Sequence, residues 1–166
     1  MKRWVFAQRS HAQFGLPLPE SSQTITTAES CTGGLLSHVL TSVSGSSRYF
    51  VGGVVAYSNQ IKEAILGVRP ETLQAFGAVS EQTAREMAEG IRQKFEADFG
   101  LSTTGIAGPT GGTPEKPVGL VWVGISTPDR TLAYECHFDA DREGVKTQTV
   151  ERLLSLLIEE ISPTKR

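Results

Sequence analysis

Short runs of β-branched and apolar residues alternate along this chain with segments whose apolar positions recur every three or four residues. The first pattern predicts strands and the second predicts amphipathic helices. The predicted strands cover residues 24–28, 48–57, 99–104, 118–126 and 131–138. The predicted helices cover residues 32–43, 59–66, 70–76, 81–95 and 141–161. Strands interleaved with helices, together with a late strand pair joined by a tight turn, predict a layered α/β fold with a mixed sheet.

The domain organisation follows from length and from the breaks in this pattern. A chain of 166 residues is long enough to bury one core, so we predict a single domain over residues 24–166. Residues 1–23 are predicted to be a poorly defined N-terminal segment, because Gly15, Pro17 and Pro19 interrupt any helix there.

Composition and charge exclude several classes of partner. The chain has 16 basic and 18 acidic residues, a net charge of -2, without the clustered basic excess expected of a nucleic-acid-binding protein. No apolar run approaches the ~18 residues of a membrane span, and the first residues lack the apolar core of a signal peptide. We therefore expect no nucleic-acid partner and no membrane association.

The cysteines indicate a reducing compartment, and the histidines bear on metal binding. Cys31 and Cys136 form no CxxC motif, so reduced thiols in the cytoplasm are expected rather than a structural disulfide. The three histidines have no metal-ligand spacing, so we expect no metal site.

The segment Thr27–Gly34 places a hydroxyl and a thiol where a strand passes into a helix. Unpaired N–H groups and the positive end of the helix dipole converge at such a junction, which can bind an anion or stabilise an oxyanion. The Rossmann, Walker and GxSxG fingerprints are absent from the sequence.

Ser30 in this segment and Lys62 after the second strand form a candidate catalytic pair. The carboxyl ends of neighbouring strands lie together in a layered α/β fold, and a partly buried lysine with a lowered pKa can deprotonate a serine. The alternative is that Ser30 caps a helix and Lys62 is solvated. Spacing alone favours this alternative, because serine–lysine pairs have no fixed sequence signature.

Two neighbours of Ser30 also have two interpretations each. Cys31 is a rival nucleophile, since a helix N-terminus lowers the pKa of a thiol, or else a small apolar residue packed under the turn. Glu29 is a candidate either to orient the site or to bind a ligand hydroxyl, and the alternative is that it simply lies near a helix start, where a carboxylate is favourable.

The loop over residues 105–117 is rich in glycine and proline and nearly free of large side chains. Its backbone N–H groups are candidates for cradling a phosphate, and the alternative is a rigid structural loop. Arg142, at the start of the last helix, is a candidate for binding a phosphate. The alternative is that it belongs to a surface ion pair that contributes little to stability.

Four long stretches of the chain resemble the CinA C-terminal domain family, whose stand-alone members are nicotinamide mononucleotide deamidases. They are TTAESCTGG at 26–34, GGVVAYSNQIKEAILGV at 52–68, GAVSEQTAREMAEGI at 77–91 and GIAGPTGGTPEKPVGLVWVGI at 105–125. The resemblance implies a three-layer α/β/α sandwich. It also implies hydrolysis of a carboxamide by a serine–lysine arrangement that uses neither a metal nor another cofactor.

Carried over by motif, the resemblance makes Ser30 the nucleophile, Lys62 its general base and Tyr57 a supporting catalytic group. N–H groups within residues 31–34 are then candidates for the oxyanion site. It thereby reverses the preference for a capping serine and a solvated lysine. The predicted substrate-binding residues are Glu29, Thr32, Gly33, Thr104, Gly105, Gly108 and Arg142.

The function expected from these observations is a cytoplasmic amidohydrolase that acts on a small-molecule pyridine mononucleotide in nucleotide salvage. We expect a homo-oligomer, and the stand-alone form, since these residues do not include the larger N-terminal domain of full-length CinA proteins. The alternative is a catalytically silent nucleotide-binding or regulatory module of the same fold. Joint retention of Ser30, Tyr57 and Lys62 favours the enzyme.

Overall fold

A computed structural model describes residues 22–161, so almost all of the predicted N-terminal segment at 1–23 lies outside the described residues. Strands and helices alternate over this range as the hydrophobic pattern predicts. The strands are β1 (Ile25–Glu29), β2 (Phe50–Val55), β3 (Phe99–Gly105), β4 (Leu120–Ser126) and β5 (Thr131–His137). The helices are α1 (Leu35–Thr41), α2 (Asn59–Leu66), α3 (Pro70–Phe76), α4 (Glu81–Lys94) and α5 (Arg142–Ile161), with a 3-10 turn at Ser46–Arg48.

The five strands form one mixed sheet in the order β2-β1-β3-β4-β5. β1 is parallel to β2 and β3, whereas β4 and β5 continue the sheet in antiparallel pairs. Glu29, the last residue of β1, is in register with Val55 of β2 and Thr103 of β3. The residues that follow these positions therefore emerge together at one edge of the sheet, where ligands bind in open α/β sheets.

Helices cover both faces of the sheet, which confirms the predicted three-layer α/β/α sandwich. On one face, α1 and α5 bury an apolar stripe that includes Leu36, Leu40, Val145, Val150, Leu153, Leu154 and Leu157. On the other face, α2, α3 and α4 bury Leu66, Leu73, Met87 and Ile91. These positions recur every three or four residues, so each helix turns one side toward the sheet.

Close backbone contacts join α4 to the sheet on one side and to α2 on another. A Cβ atom at Gly90 of α4 would overlap the carbonyl oxygen of Leu66 at the end of α2. A Cβ atom at Gly100 of β3 would overlap the carbonyl oxygen of Ala88 in the same helix. Glycine at these two positions lets α4 hold α2, the helix that carries Lys62, against the sheet.

Several predicted boundaries are wrong by a few residues, and local backbone conformation explains the main one. The first helix begins at Leu35 rather than at residue 32, because Gly33 and Gly34 adopt positive φ angles of 61° and 100° that a helix does not allow. β2 begins at Phe50 rather than at residue 48, since the 3-10 turn occupies Ser46–Arg48. β4 begins at Leu120 rather than at residue 118.

Candidate active site

The carboxyl ends of β1, β2 and β3 enclose a cleft of about 290 Å³. Two segments build much of its wall: the β1 turn (residues 30–34) and the β3 loop (residues 106–119). The lining residues are Ser30, Cys31, Tyr57, Lys62, Ala78, Val79, Thr104, Gly105, Ile106, Ala107, Gly108, Thr110, Gly111 and Arg142. A broader surface hollow of about 590 Å³, lined by residues of α2 and the start of α3, contains none of the predicted site residues.

The cleft brings together most of the predicted site residues from six separate elements and loops. These residues are Ser30, Tyr57, Lys62, Thr104, Gly105, Gly108 and Arg142. Glu29, Thr32 and Gly33, which were also predicted to bind substrate, are not among the lining residues.

Lys62 is buried beside Ser30 at the base of the cleft. The Lys62 Nζ atom lies 3.0 Å from the Ser30 Oγ atom, and the lysine is only 1% exposed. Ser58 starts α2 by accepting a hydrogen bond from the N–H of Ile61, and Lys62 follows within the first helical turn. The alternative of a solvated lysine is therefore wrong, and Ser30 contacts Lys62 rather than capping α1.

Burial and the lack of a paired carboxylate among the described residues favour an uncharged amine at Lys62, and its other partners are compatible with one. Its Nζ atom donates to the carbonyl oxygens of Ala56 at 2.7 Å and Tyr57 at 3.3 Å. A neutral amine has two N–H bonds for these two carbonyls and one lone pair for the Ser30 hydroxyl. Burial lowers the pKa of Lys62 from its usual value of 10.5, opposed by the nearby Cys31. Within residues 22–161 no carboxylate forms an ion pair with it.

The Glu29 carboxylate points away from the cleft, into the start of α1. The side chain is fully buried, and its two oxygens accept five hydrogen bonds from the β1 turn and α1. The donors are the N–H groups of Gly34, Leu36 and Ser37 and the hydroxyls of Thr32 and Ser37. The prediction that Glu29 binds substrate is therefore wrong, and the alternative of a carboxylate beside a helix start is confirmed.

Most N–H groups of the β1 turn and of the start of α1 are already hydrogen-bonded, so they do not form the anion site that the sequence suggested. Glu29 itself occupies the N-terminus of α1, and the N–H of Gly33 donates to the Ser30 carbonyl at 3.2 Å. The Thr32 side chain is buried and bonded to Glu29 and Thr103, so it does not face a ligand. Gly33 is exposed and contributes the backbone bend of the turn rather than a wall of the cleft.

Two N–H groups of the β1 turn remain available. Across residues 22–161, no carbonyl and no other residue's side chain accepts a hydrogen bond from the N–H of Cys31 or Thr32. Both groups directly follow Ser30. Within residues 31–34 they are the two N–H groups that no other described residue uses, the Cys31 N–H being within reach of its own thiol alone.

Cys31 is a poor rival nucleophile in this structure. Burial raises the pKa of its thiol to about 12, which outweighs the lowering effects of its own N–H and of Thr103. The sequence-based expectation of a lowered pKa is wrong because α1 begins four residues later and the side chain is only 7% exposed.

The opposite wall of the cleft carries the guanidinium of Arg142. The Arg142 guanidinium donates to the Gly108 carbonyl at 2.7 Å and to the Tyr57 hydroxyl at 3.2 Å, so it bridges the β3 loop and the β2–α2 connection. Tyr57 is 64% exposed, which leaves its ring accessible at the mouth of the cleft. The lining residues within the described range include the Arg142 guanidinium but no carboxylate, an arrangement that favours an anionic ligand.

Thr104 connects the cleft to a segment that sequence reasoning missed. Its hydroxyl donates to the carbonyl of Ala78 at 2.7 Å, and Ala78 and Val79 line the cleft just before α4. Small apolar residues carry no chemical signal in a sequence. Two sequence features marked this segment without showing that it lines the cleft: the resemblance over residues 77–91 and Ser80 as the N-cap of α4.

No metal centre accompanies this site in the described range. Residues 22–161 contain no group of three histidine, cysteine or acidic side chains that could hold a metal ion.

Cys31 and Cys136 are both free, as expected. Of the helices described, none is long and apolar enough to cross a membrane.

Comparison with known sequences gives a consistent set of relatives. A sequence model described as the CinA C-terminal domain matches residues 7–161. A protein of Thermoanaerobacter pseudethanolicus, whose name includes "competence-damage inducible protein", is 55% identical over 140 residues, covering 84% of this chain and 34% of that protein. A CinA-like protein of Acidobacterium capsulatum is 48% identical over 134 residues, covering 81% and 32%. The chain thus spans about a third of the length of these curated relatives.

Solved structures with the same fold cover nearly the whole chain. The competence/damage inducible protein CihA from Agrobacterium tumefaciens has a TM-score of 0.83 and 42% identity, covering 89% of this chain and 90% of that one. The competence damage-inducible protein ComA from Klebsiella pneumoniae has a TM-score of 0.87 and 34% identity, covering 93% and 96%.

Proposed function

This chain belongs to the CinA C-terminal domain family, and from that premise we propose that it is an amidohydrolase acting on nicotinamide mononucleotide. The products are nicotinate mononucleotide and ammonia. The observation that carries the proposal is the 3.0 Å separation between the buried Lys62 Nζ atom and the Ser30 Oγ atom. An amide is a weak electrophile, so its hydrolysis needs a nucleophile activated in this way.

Acylation begins when the lone pair of neutral Lys62 accepts the proton of the Ser30 hydroxyl. The Oγ atom attacks the carboxamide carbon, and the carbonyl oxygen becomes an oxyanion. The N–H groups of Cys31 and Thr32, from which no other described residue accepts, follow the nucleophile directly and are the donors we assign to this oxyanion. Lys62, now protonated, returns its proton to the departing nitrogen, and ammonia leaves as the carbon–nitrogen bond breaks.

Deacylation repeats these steps with water. Lys62 removes a proton from a water molecule, the hydroxide attacks the acyl carbon, and the Ser30 Oγ atom leaves and regains the proton. The carbonyls of Ala56 and Tyr57 lie 2.7 and 3.3 Å from the Lys62 Nζ atom, and N–H bonds of either the amine or the ammonium can be donated to them. The amine therefore keeps its position while its charge changes, which limits the reorganisation that each step requires.

The opposite wall suits the phosphate end of the substrate. Arg142 presents a planar guanidinium that is held by Gly108 and Tyr57, and a guanidinium can bind a phosphate through two parallel hydrogen bonds. The absence of carboxylates among the described lining residues favours a substrate with negative charge. A Cβ atom at Gly111 would meet nothing closer than the Ile106 side chain at 3.7 Å, so the backbone is open to a ligand there, whereas Gly105 and Gly108 are required by close contacts with Leu120 and Val118.

The test is ammonia release from nicotinamide mononucleotide by the purified protein. We expect Ser30→Ala to lower kcat by about a thousandfold or more, because the variant has no nucleophile. Ser155→Ala on α5 is the matched control, since its hydroxyl bonds only within its own helix and should leave kcat unchanged. Both variants should keep the thermal unfolding temperature of the wild type.

Two results would count against the proposal. Full activity of Ser30→Ala would remove the serine from the mechanism. Binding of the mononucleotide by the wild type without ammonia release would support the alternative, a catalytically silent nucleotide-binding module.

A further inference from the structure

Glu29 lies next to the cleft and accepts five hydrogen bonds, but its carboxylate does not face the cleft. One carboxylate oxygen accepts from the N–H and the hydroxyl of Ser37, at 2.8 and 2.6 Å. The other accepts from the Thr32 hydroxyl at 2.6 Å and from the N–H groups of Gly34 and Leu36 at 3.0 Å. All five donors lie between residues 32 and 37, so the carboxylate ties the end of β1 to the segment that follows Ser30.

A second connection joins the same turn to β3. The Thr32 and Thr103 hydroxyls are 2.7 Å apart, and the N–H of Ser30 donates to the Thr103 carbonyl at 2.9 Å. A carboxylate can only accept, so the Thr32 hydroxyl donates to Glu29 and must accept from Thr103. Thr103, Thr32 and Glu29 thus form a directed chain of hydrogen bonds behind the β1 turn.

These bonds decide which N–H groups the turn leaves free. Glu29 takes the N–H groups of Gly34, Leu36 and Ser37, while the Ser30 carbonyl takes that of Gly33. The N–H groups of Cys31 and Thr32 have no such partner within residues 22–161. The same network fixes the backbone of Ser30, whose side chain must stay within hydrogen-bond distance of Lys62.

We propose that Glu29 is a positioning residue, which holds Ser30 against Lys62 and reserves the N–H groups of Cys31 and Thr32 for the oxygen of the reacting carbonyl. This inference rests on the proposed function, because it assumes that Ser30 is a nucleophile. It replaces the direct substrate contact that the sequence suggested for Glu29. A group with this role affects the rate of the chemical step more than the binding of substrate.

The test compares Glu29→Gln with the wild type. Glutamine has the same shape, but its NH2 group cannot accept the hydrogen bonds that one carboxylate oxygen receives, so the turn must shift. We expect kcat for the mononucleotide to fall by about 10- to 100-fold, as for other residues that orient reacting groups. KM should change by less than about threefold. A folded variant whose kcat falls by less than threefold overturns the inference.

A matched control uses the same chemical change at another hydrogen-bonded carboxylate. Glu86 on α4 accepts from Arg69 and Thr72, outside the cleft, so Glu86→Gln should leave kcat unchanged. If Glu29→Gln fails to fold, the pair Thr32→Val and Thr32→Ser carries the test. Valine removes the hydroxyl that bonds Glu29 and should lower kcat by about tenfold, whereas serine should recover most of that loss.

A serine-directed fluorophosphonate separates this inference from the proposed substrate. Its rate of reaction with Ser30 reports on the nucleophile without reference to nicotinamide mononucleotide. If the wild type reacts at Ser30 but releases no ammonia, the substrate assignment fails, and a 10- to 100-fold slower reaction of Glu29→Gln still supports the positioning role. If the two proteins react at equal rates, the positioning role fails. If the wild type does not react at all and releases no ammonia, both proposals fail.

Discussion

The β1 turn and the β3 loop line the same cleft but are held by different kinds of contact. Buried side chains hold the β1 turn: Glu29 and Thr32 are fully buried, and their hydrogen bonds connect β1, α1 and β3. The β3 loop is largely exposed between Pro109 and Val118, and main-chain hydrogen bonds join Ile106 to Leu120 and Gly119 at its ends. Two long cations, Arg142 and Lys116, attach it to the rest of the molecule.

This difference suggests that the β1 turn positions the reacting groups and that the β3 loop binds the ligand. Reacting groups must be held within a fraction of an ångström, and a buried turn with saturated hydrogen bonds provides that precision. A surface loop whose backbone is partly free can adjust to a ligand, and such loops often carry binding groups. Changes behind the β1 turn should therefore lower kcat, whereas changes that affect the β3 loop should raise KM.

The largest loss of kcat is expected from Lys62→Met, on α2, which removes the base that Ser30 of the β1 turn contacts. Methionine has a similar length but no lone pair to accept the serine proton, so kcat should fall by about 1,000-fold with little change in KM. In the wild type, kcat/KM should rise with pH and reach half its maximum at the lowered pKa of Lys62, below 10.5. A steady-state pH profile of both proteins measures these effects.

Thermal unfolding of the same variant provides its control. A lysine whose pKa is lowered by folding binds more protons when unfolded, so it destabilises the native state at low pH. That destabilisation disappears as the pH rises from the lowered pKa toward 10.5. Lys62→Met should therefore unfold at a higher temperature than the wild type near neutral pH, by a margin that shrinks in alkaline buffer. A margin that grows with pH would contradict an uncharged role for Lys62.

A smaller effect, confined to KM, is expected from Arg142→Gln. The variant loses charged hydrogen bonds to the substrate phosphate, which are worth about 1.5–3 kcal/mol, so KM should rise by about 10- to 100-fold. Nicotinamide riboside lacks the phosphate and is the matched substrate, for which KM should change by less than about threefold. An equal rise for both substrates would mean that Arg142 acts by holding Tyr57 and Gly108 in place.

Most of the fold could be predicted from the sequence because its helices have clear apolar faces and its turns have clear breakers. Ser80 as an N-cap and Pro70 at a first helical turn mark two helix starts that the structure confirms. The start of α1 was misplaced because Thr32–Gly34 looks compatible with a helix. The positive φ angles of Gly33 and Gly34 exclude a helix there. No local sequence pattern predicted that these φ angles would be positive.

The candidate site was harder to predict, since its key features depend on contacts between distant residues. Ser30 and Lys62 are 32 positions apart, and spacing alone favoured the wrong interpretation until the family resemblance was considered. The role of Glu29 was mistaken because the sequence shows that a carboxylate adjoins the nucleophile but not which way it points. Its orientation depends on where the N–H groups of Leu36 and Ser37 lie after the turn.

The smallest effect, and the sharpest check on the β3 loop, is expected from Lys116→Met. The Lys116 Nζ atom donates to the carbonyl of Phe76 at 2.6 Å, which attaches the outer part of the loop to the end of α3. Losing one partly exposed contact should raise KM by no more than about fivefold and leave kcat unchanged, because single contacts of this kind contribute about 1 kcal/mol or less. Lys94→Met, on the exposed end of α4, makes the same chemical change away from the cleft and should alter neither constant. A loss of kcat in Lys116→Met would mean that the loop is as firmly coupled to the reacting groups as the β1 turn.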